Sequence, residues 1–271
     1  MDKLKDKVAI ITGGNSGIGE STAHLFANEG AKVVILARRE KEGFQVQKSI
    51  QQNGGTCLFI KCDVTNLNEI NKAIKTVISN FKKIDILFNN AGMASSNNFP
   101  DENNDDWNSV IEVNLSGTFY MCKAVWQHLI KSNEGIIVNM SSLSAQRGFS
   151  NNIYNISGAP SASYYASKAG IDALTRYLAS IGGKHNIRGN CVRPGQIITE
   201  QAKGEDGNHK FKPTFDLLQI LQNAGGKGHT NTIFPTRNWF RTRRSALWKC
   251  PFSFQRGQIE DKLPLVISSL K

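Results

Sequence analysis

The chain has 271 residues, enough for one large α/β domain or two smaller ones with a buried core. Its hydrophobic fraction of 39% is typical of a globular protein, and no apolar run is long enough to span a membrane. The net charge is +11, to which Thr236–Lys271 contributes +6 from eight Lys or Arg residues and two acidic ones. This uneven and otherwise modest excess suits an enzyme with a polyanionic cofactor, so nucleic-acid binding is not expected.

The five cysteines and five histidines predict neither disulfides nor a metal site. The cysteines are odd in number and widely spaced, and none forms a Cys-x-x-Cys pair, which indicates reduced thiols. The histidines show no metal-ligand spacing. The first residues lead directly into an apolar strand without a signal-peptide core, and we therefore expect a cytoplasmic location.

Short apolar, β-branched runs alternate with longer amphipathic stretches along most of the chain. This alternation predicts a doubly wound parallel sheet covered by helices on both faces, a Rossmann-like three-layer α/β/α fold whose last strand is uncertain. The predicted strands are Val8–Thr12, Lys32–Ala37, Thr56–Lys61, Ile84–Phe88, Ile136–Met140 and Ile187–Val192. The predicted helices are Ile18–Asn28, Glu40–Gln52, Leu67–Phe81, Asp105–Ile130 and Tyr164–Gly182.

A glycine-rich segment, Thr12–Gly19, joins the first predicted strand to the first predicted helix. Glycines at this spacing allow a tight turn, let the backbone approach a pyrophosphate and let the helix pack closely on the sheet. The N-terminus of the helix offers unpaired N–H groups and a positive dipole to phosphates. The segment therefore predicts a dinucleotide site. Its candidate binding residues are Gly13, Asn15, Ser16, Gly17, Ile18 and Gly19.

The end of the second predicted strand indicates which dinucleotide is bound. An NAD site places Asp or Glu about twenty residues after the glycines, whereas this chain has Ala37 followed by Arg38 and Arg39. A guanidinium can pair bidentately with a 2′-phosphate, which a carboxylate would repel. The sequence therefore predicts NADP(H) rather than NAD(H). The alternative interpretation is that both arginines are solvated residues at the start of a helix.

Tyr164 and Lys168 lie four residues apart in a predicted helix, which places a phenol and an ammonium on the same face. The free phenol has a pKa of about 10, and a fixed cation nearby stabilises the phenolate and lowers that pKa. This spacing occurs by chance in many helices and gains meaning because a nucleotide-binding half precedes it. The neighbouring Tyr165 diverges by about 100° around the helix, so Tyr164 is the candidate acid–base group.

With these motifs in this order, the chain resembles the short-chain dehydrogenases/reductases over roughly residues 6–200. That family has a Thr-Gly-x-x-x-Gly-x-Gly cofactor loop and a Tyr-x-x-x-Lys active site. Further motifs agree in sequence order. They are Cys62-Asp63-Val64, Asn89-Asn90-Ala91-Gly92, Asn114 within Val113–Gly117, Asn139-Met140-Ser141-Ser142, and Pro194–Thr199.

The resemblance implies a role for each matching residue. Tyr164 is the general acid in carbonyl reduction or the base in alcohol oxidation, and Lys168 holds the nicotinamide ribose and lowers the Tyr164 pKa. Ser142, preferred over Ser141, donates a hydrogen bond to the substrate oxygen, and Asn114 supports Lys168 through a water. The resemblance also implies cofactor contacts at Asp63, Val64, Asn90, Ala91, Gly92, Pro194, Gly195, Ile197 and Thr199.

Two segments depart from the family pattern. Twenty-one residues separate Ser142 from Tyr164, a longer interval than usual, in the polar stretch Ser144–Ala162. The second departure begins near Gly204 and increases after Pro235, where basic and aromatic residues follow each other without a clear period. We therefore assign residues 1–235 to the dinucleotide-binding and catalytic domain and residues 236–271 to a divergent basic segment. Because the C-terminal elements usual in the family are not recognisable after Pro235, a homo-oligomer is doubtful.

The predicted function is hydride transfer between NADP(H) and a small carbonyl or alcohol substrate. Two alternatives within enzymes are an enoyl-thioester reductase and an NAD-dependent dehydrogenase. A third alternative is a cofactor-binding scaffold whose catalysis is impaired by the unusual C-terminal segment. The complete set of candidate catalytic residues argues against the scaffold.

Overall fold

The computed structural model describes residues 2–148, 160–195 and 197, and within them six parallel strands form one sheet in the order β3-β2-β1-β4-β5-β6. The strands are β1 (Val8–Thr12), β2 (Lys32–Ala37), β3 (Thr56–Lys61), β4 (Ile86–Asn89), β5 (Ile136–Met140) and β6 (Arg188–Val192). The helices are α1 (Gly17–Asn28), α2 (Glu40–Gln52), α3 (Leu67–Phe81), α4 (Asn104–Ile111), α5 (Gly117–Ser132) and α6 (Ala162–Gly182). The predicted Rossmann-like α/β fold is confirmed.

Apolar side chains cover both faces of the sheet. Every residue of β1 is buried, as expected for a parallel strand enclosed by helices on both sides. Because side chains alternate along a strand, Ile11 belongs to one core with Phe26 of α1 and Val46 of α2. Ile10 belongs to the opposite core with Val125 of α5. The sheet is therefore the middle of three layers.

The strand order creates a crevice between β1 and β4. The chain moves outward from β1 to β3 and then returns to the other side of β1, where β4 pairs in parallel with it. This reversal moves the connecting helices to the opposite face, because parallel crossovers are right-handed. Ligands of such sheets bind at this reversal, outside the carboxyl ends of the strands. The glycine-rich segment after β1 and the Asn90–Gly92 segment after β4 meet there.

The predicted single helix Asp105–Ile130 is wrong in one respect, because a π-helical turn, Glu112–Ser116, separates α4 from α5. The helical periodicity continues on both sides of this turn, so a single inserted residue leaves little trace in the sequence. Asn114 lies in this turn and is completely buried. Turns of this kind are common at functional sites. In addition, β4 begins two residues later than predicted, at Ile86.

Several predicted segments lie outside the described residues. They include most of the polar stretch between Ser142 and Tyr164, the contact predicted for Thr199, and the divergent segment 236–271. The region in which the sequence left a last strand uncertain is also outside the described residues. Among the helices that are described, none is long and apolar enough to cross a membrane.

Candidate active site

A cavity of about 510 Å³ lies at the carboxyl ends of the strands, where β1 and β4 adjoin. Most of the predicted site residues line it. They are Gly13, Asn15, Ser16, Ile18, Arg38, Arg39, Asp63, Val64, Asn90, Ala91, Gly92, Ser142, Tyr164, Lys168, Pro194, Gly195 and Ile197. Gly17, Gly19 and Asn114 are not among the described lining residues. The structure thus brings the predicted cofactor and catalytic residues together in one space.

The glycine-rich segment requires glycine at two positions. Gly13 has a φ of +64°, and a β-carbon there would lie 3.0 Å from the Cα of Ala91. A β-carbon on Gly19 would lie 2.2 Å from the carbonyl oxygen of Gly13, which no side chain can occupy. Gly19 therefore lets α1 start directly beneath the turn, as the sequence pattern predicts.

Sequence reasoning overlooked Thr12 as the link between the two halves of the site. Its hydroxyl oxygen accepts hydrogen bonds from the backbone N–H groups of Asn90 and Ala91, both at 3.0 Å. The Asn90 side chain donates in return to the carbonyl oxygens of Thr12 and Gly13, both at 3.1 Å. The signal was present, because Thr12 precedes the glycines and Asn90 follows β4. These four bonds fix the turn after β1 against the turn after β4.

The residues at this end of the cavity fit a dinucleotide. The first N–H groups of a helix have no intrahelical partner, and α1 begins at Gly17, beside the lining residues Ser16 and Ile18. The side-chain amide nitrogen of Asn15 is buried and has no hydrogen-bond partner among the described residues. Unpaired donors and a positive helix end are what a phosphate requires.

Two arginines border the cavity where β2 ends. Arg39 donates a hydrogen bond of 2.8 Å to the hydroxyl of Ser16, so its side chain extends over the glycine-rich segment. Arg38 lies 3.8 Å from Asp63, whose carboxylate is itself fixed by the backbone and hydroxyl of Thr65. Ala37, the last residue of β2, also lines the cavity, so no carboxylate of β2 faces this corner.

The catalytic candidates occupy the other end of the cavity. Ser142 and Tyr164 both line this end, and Tyr164 is partly buried. Ser141 instead donates to the carbonyl oxygen of Lys168 at 3.1 Å, so its hydroxyl stabilises the packing of α6 against the end of β5. The Lys168 ammonium lies 5.4 Å from the centre of the Tyr164 ring and donates to the carbonyl oxygen of Met140 at 2.8 Å.

Burial governs the acid–base properties of this pair. It raises the pKa of Tyr164 above its usual value of 10.0, and the nearby Ser142 hydroxyl acts in the opposite direction. Burial also lowers the pKa of Lys168 from 10.5 to about 8, because the charged form loses its water. The sequence led us to expect Lys168 to lower the Tyr164 pKa. In the structure the largest effect on Tyr164 is desolvation, which raises it.

Asn114 supports the site from behind the cavity wall. Its side chain exchanges two hydrogen bonds with the backbone of Met93, at 2.8 and 2.9 Å, and donates to Ser167 at 3.1 Å. A β-carbon on Gly92 would lie 3.2 Å from the Asn114 oxygen and 3.6 Å from the Lys168 nitrogen. Glycine at position 92 therefore lets Asn114 and Lys168 approach the same stretch of backbone.

Sequence reasoning missed two long-range contacts of α6. At its N-terminus, Glu102 accepts hydrogen bonds from the backbone and the hydroxyl of Ser163. Farther along the helix, Asp172 forms a buried ion pair of 2.7 Å with Arg193, the residue before Pro194. No local pattern predicts either contact, because the partners are 61 and 21 residues apart.

Comparisons with known proteins agree with this geometry. A family model described as short chain dehydrogenase matches residues 7–209. The 3-oxoacyl-(acyl-carrier-protein) reductase FabG of Chlamydia pneumoniae is 37% identical over 207 residues, or 76% of this chain and 80% of that protein. The cyclopentanol dehydrogenase of Comamonas testosteroni is 36% identical over 200 residues, or 73% of this chain and 76% of that protein.

Solved structures give the same result. The crystal structure of gox2181 matches with a TM-score of 0.71 at 28% identity, covering 80% of this chain and 81% of that chain. The family uses NAD(P)(H) as its nucleotide cofactor, which fits the turn and helix end described above. Because the family model matches more than half of the chain, the protein belongs to the short-chain dehydrogenases/reductases and is an oxidoreductase.

Proposed function

We propose that this protein transfers a hydride between NADP(H) and a small carbonyl or alcohol substrate, with Tyr164 as the proton donor in the direction of reduction. The observation that carries the proposal is the single cavity that joins Ser16 and Arg39 at one end to Ser142 and Tyr164 at the other. Bound there, the nicotinamide would supply or accept the hydride, and the chain would have to manage one proton.

The protonation states support reduction. Because burial raises the pKa of Tyr164, the phenol carries its proton at neutral pH and can donate it to a substrate oxygen. Ser142, which lines the same end of the cavity as that phenol, is placed to bind the same oxygen. Lys168, with a pKa of about 8, is largely protonated at neutral pH and can stabilise the phenolate left after proton transfer.

NADP(H) is the cofactor we propose, on the basis of the corner between β2 and the glycine-rich segment. Arg38 and Arg39 both line this corner, and Arg39 already holds the Ser16 hydroxyl at 2.8 Å. Two guanidinium groups and a hydroxyl suit a 2′-phosphate. An NAD site would need a carboxylate for the ribose hydroxyl, and Ala37 provides none.

The relatives support a carbonyl or alcohol substrate over an enoyl thioester. One is named as a reductase of 3-oxoacyl groups and the other as a dehydrogenase of cyclopentanol. Both names describe chemistry at a carbon that bears oxygen, for which a proton donor such as Tyr164 is required. The substrate we propose is therefore a ketone or aldehyde, or the corresponding alcohol.

The experiment is NADPH oxidation by the full chain across panels of carbonyl and enoyl substrates. Tyr164→Phe should lower kcat by about 10²–10⁴-fold, because it removes the transferable proton, and should leave the Kd for NADPH nearly unchanged. Tyr165→Phe is the matched control and should stay close to wild type. Retained activity in Tyr164→Phe would refute the proposal, and a wild-type chain that binds NADPH without turnover would favour the scaffold.

A further inference from the structure

The first turn of α6 is held by a side chain from another part of the chain. Glu102 belongs to the segment between β4 and α4, two residues before α4 begins. Its carboxylate accepts a hydrogen bond of 3.1 Å from the backbone N–H of Ser163 and a second one from the Ser163 hydroxyl. Ser163 is completely buried and directly precedes Tyr164.

The donors and acceptors around Ser163 can be arranged in only one order. A carboxylate only accepts, so the Ser163 hydroxyl donates its single proton to Glu102. The hydroxyl oxygens of Ser161 and Ser163 are 2.9 Å apart, so the proton between them comes from Ser161. The Ser161 oxygen in turn accepts from the backbone N–H of Tyr164 at 3.2 Å. The chain of bonds therefore runs from Tyr164 through both serines to Glu102.

This chain of bonds satisfies backbone groups that the helix itself cannot. The first N–H groups of α6 have no intrahelical partners, and those of Ser163 and Tyr164 are taken by Glu102 and Ser161. A carboxylate at this end is also favoured by the helix dipole. Because both serines are buried, water cannot easily replace the carboxylate. The Tyr164 backbone is thereby fixed from outside its own helix.

We propose that Glu102 is a positioning residue for Tyr164. By fixing the first turn of α6, it holds the phenol beside Ser142 in the geometry needed for proton transfer. The inference rests on the proposed role of Tyr164 as proton donor. Glu102 is not among the described residues that line the cavity, so it acts through Ser163 and not on the nucleotide.

Kinetics of Glu102→Gln provide the main test. The amide keeps the size of the side chain but sets an NH₂ donor against Ser163, which already presents two donors. We expect kcat to fall about 10- to 100-fold, since a displacement of about 1 Å at a reacting group is sufficient for such a loss. The KM for the carbonyl substrate and the Kd for NADPH should change by less than about threefold, because binding groups are untouched.

Two further variants separate this role from a general effect of charge. Ser163→Ala breaks the same chain of bonds from the helix side. The double variant Glu102→Gln, Ser163→Ala should therefore lose no more activity than either single variant. Asp101→Asn removes the exposed neighbouring carboxylate and is the matched control. It should keep kcat within about twofold of wild type, as surface changes generally do.

Amide hydrogen exchange tests the contact without reference to turnover. Peptides covering residues 161–168 should exchange faster in Glu102→Gln and Ser163→Ala than in wild type or Asp101→Asn. The proposal is overturned if Glu102→Gln matches Asp101→Asn in either kcat or exchange, or if the losses of the single variants multiply in the double variant. If wild type reduces no substrate, the proposed function fails, and exchange alone then supports or overturns the Glu102 contact.

Discussion

Lys168 shows at the scale of one residue how a buried charge opposes stability. It is 3% exposed, and burial lowers its pKa from 10.5 to about 8. That difference corresponds to about 3 kcal/mol in favour of the neutral form. At neutral pH the folded protein therefore keeps Lys168 as an ammonium, although the charged form is less favourable in this site than in water. The role we propose for Lys168 in proton transfer would account for a charged residue at this position.

Lys168→Met should abolish turnover and, at pH 7, raise the free energy of unfolding by about 1–3 kcal/mol. The gain should shrink at higher pH. Between pH 8 and 10.5 the unfolded lysine binds more protons than the folded one, so wild-type stability rises with pH by about 1.4 kcal/mol per pH unit. Urea unfolding of both proteins at pH 7 and 9.5 measures this gap.

The comparison of the two proteins at each pH cancels other titrations, including those of buried cysteines whose pKa burial raises to about 12, such as Cys57. Lys75 is exposed on α3, and Lys75→Met is the matched control. Its free energy of unfolding should differ from that of wild type by the same amount at both pH values. A gap between wild type and Lys168→Met that does not change between pH 7 and 9.5 would contradict the lowered pKa of Lys168.

At the scale of elements, α6 connects the candidate proton-transfer groups to the turn after β6. Tyr164, Lys168 and Asp172 follow each other at intervals of four residues and so share one face of the helix. Asp172 pairs with Arg193 at 2.7 Å; the Asp172 side chain is buried, with 6% exposed, and that of Arg193 is partly buried, with 14% exposed. Pro194, next to Arg193, accepts a hydrogen bond from the backbone of Leu143. The ion pair thus holds the turn after β6 against α6.

Asp172→Asn should lower the free energy of unfolding by about 1–3 kcal/mol, because it removes the negative charge that the partly buried guanidinium of Arg193 contacts at 2.7 Å. It should also weaken NADPH binding through the adjoining turn. Chemical denaturation and nucleotide titration measure the two effects. Glu40→Gln is the control, since its pair with Lys61 is exposed and should contribute less than about 1 kcal/mol. Equal losses in the two variants would refute the role of the buried pair.

Elements were predictable where their signals are local. Short apolar, β-branched runs and the glycine-rich turn located β1, β2, β3 and β5 at their observed bounds. The π-helical turn at Asn114 was missed because inserting one residue barely alters helical periodicity. The contacts of Glu102 and Arg193 were missed because they join distant segments, which only the folded topology brings together. The burial that raises the pKa of Tyr164 is likewise a tertiary property and leaves no local signal in the sequence.

At the scale of the whole molecule, the cavity lies between two halves of one sheet. The half from β1 to β3 contributes Ser16 and Arg39, and the half from β4 to β6 contributes Ser142 and Tyr164. The halves are joined by the pairing of β1 with β4 and by the bonds between Thr12 and Asn90. A ligand that spans the cavity contacts both halves, so its binding should stabilise the entire fold and not one half alone.

NADPH at about 100 times its Kd should therefore add about 2.7 kcal/mol to the free energy of unfolding, which corresponds to a Tm increase of about 5–10 °C in a single transition. NADH at the same concentration should give a smaller increase, because it has no 2′-phosphate for Arg38 and Arg39.

Replacing Ala37 and Arg38 together by Asp should reverse the order of the two shifts, so that NADH raises the Tm more than NADPH. Lys41→Asp, an exposed change of charge on α2 away from the cavity, should preserve it. Differential scanning calorimetry with each nucleotide measures the shifts. An unchanged NADPH preference in the Ala37→Asp, Arg38→Asp protein would rule out the proposed 2′-phosphate site.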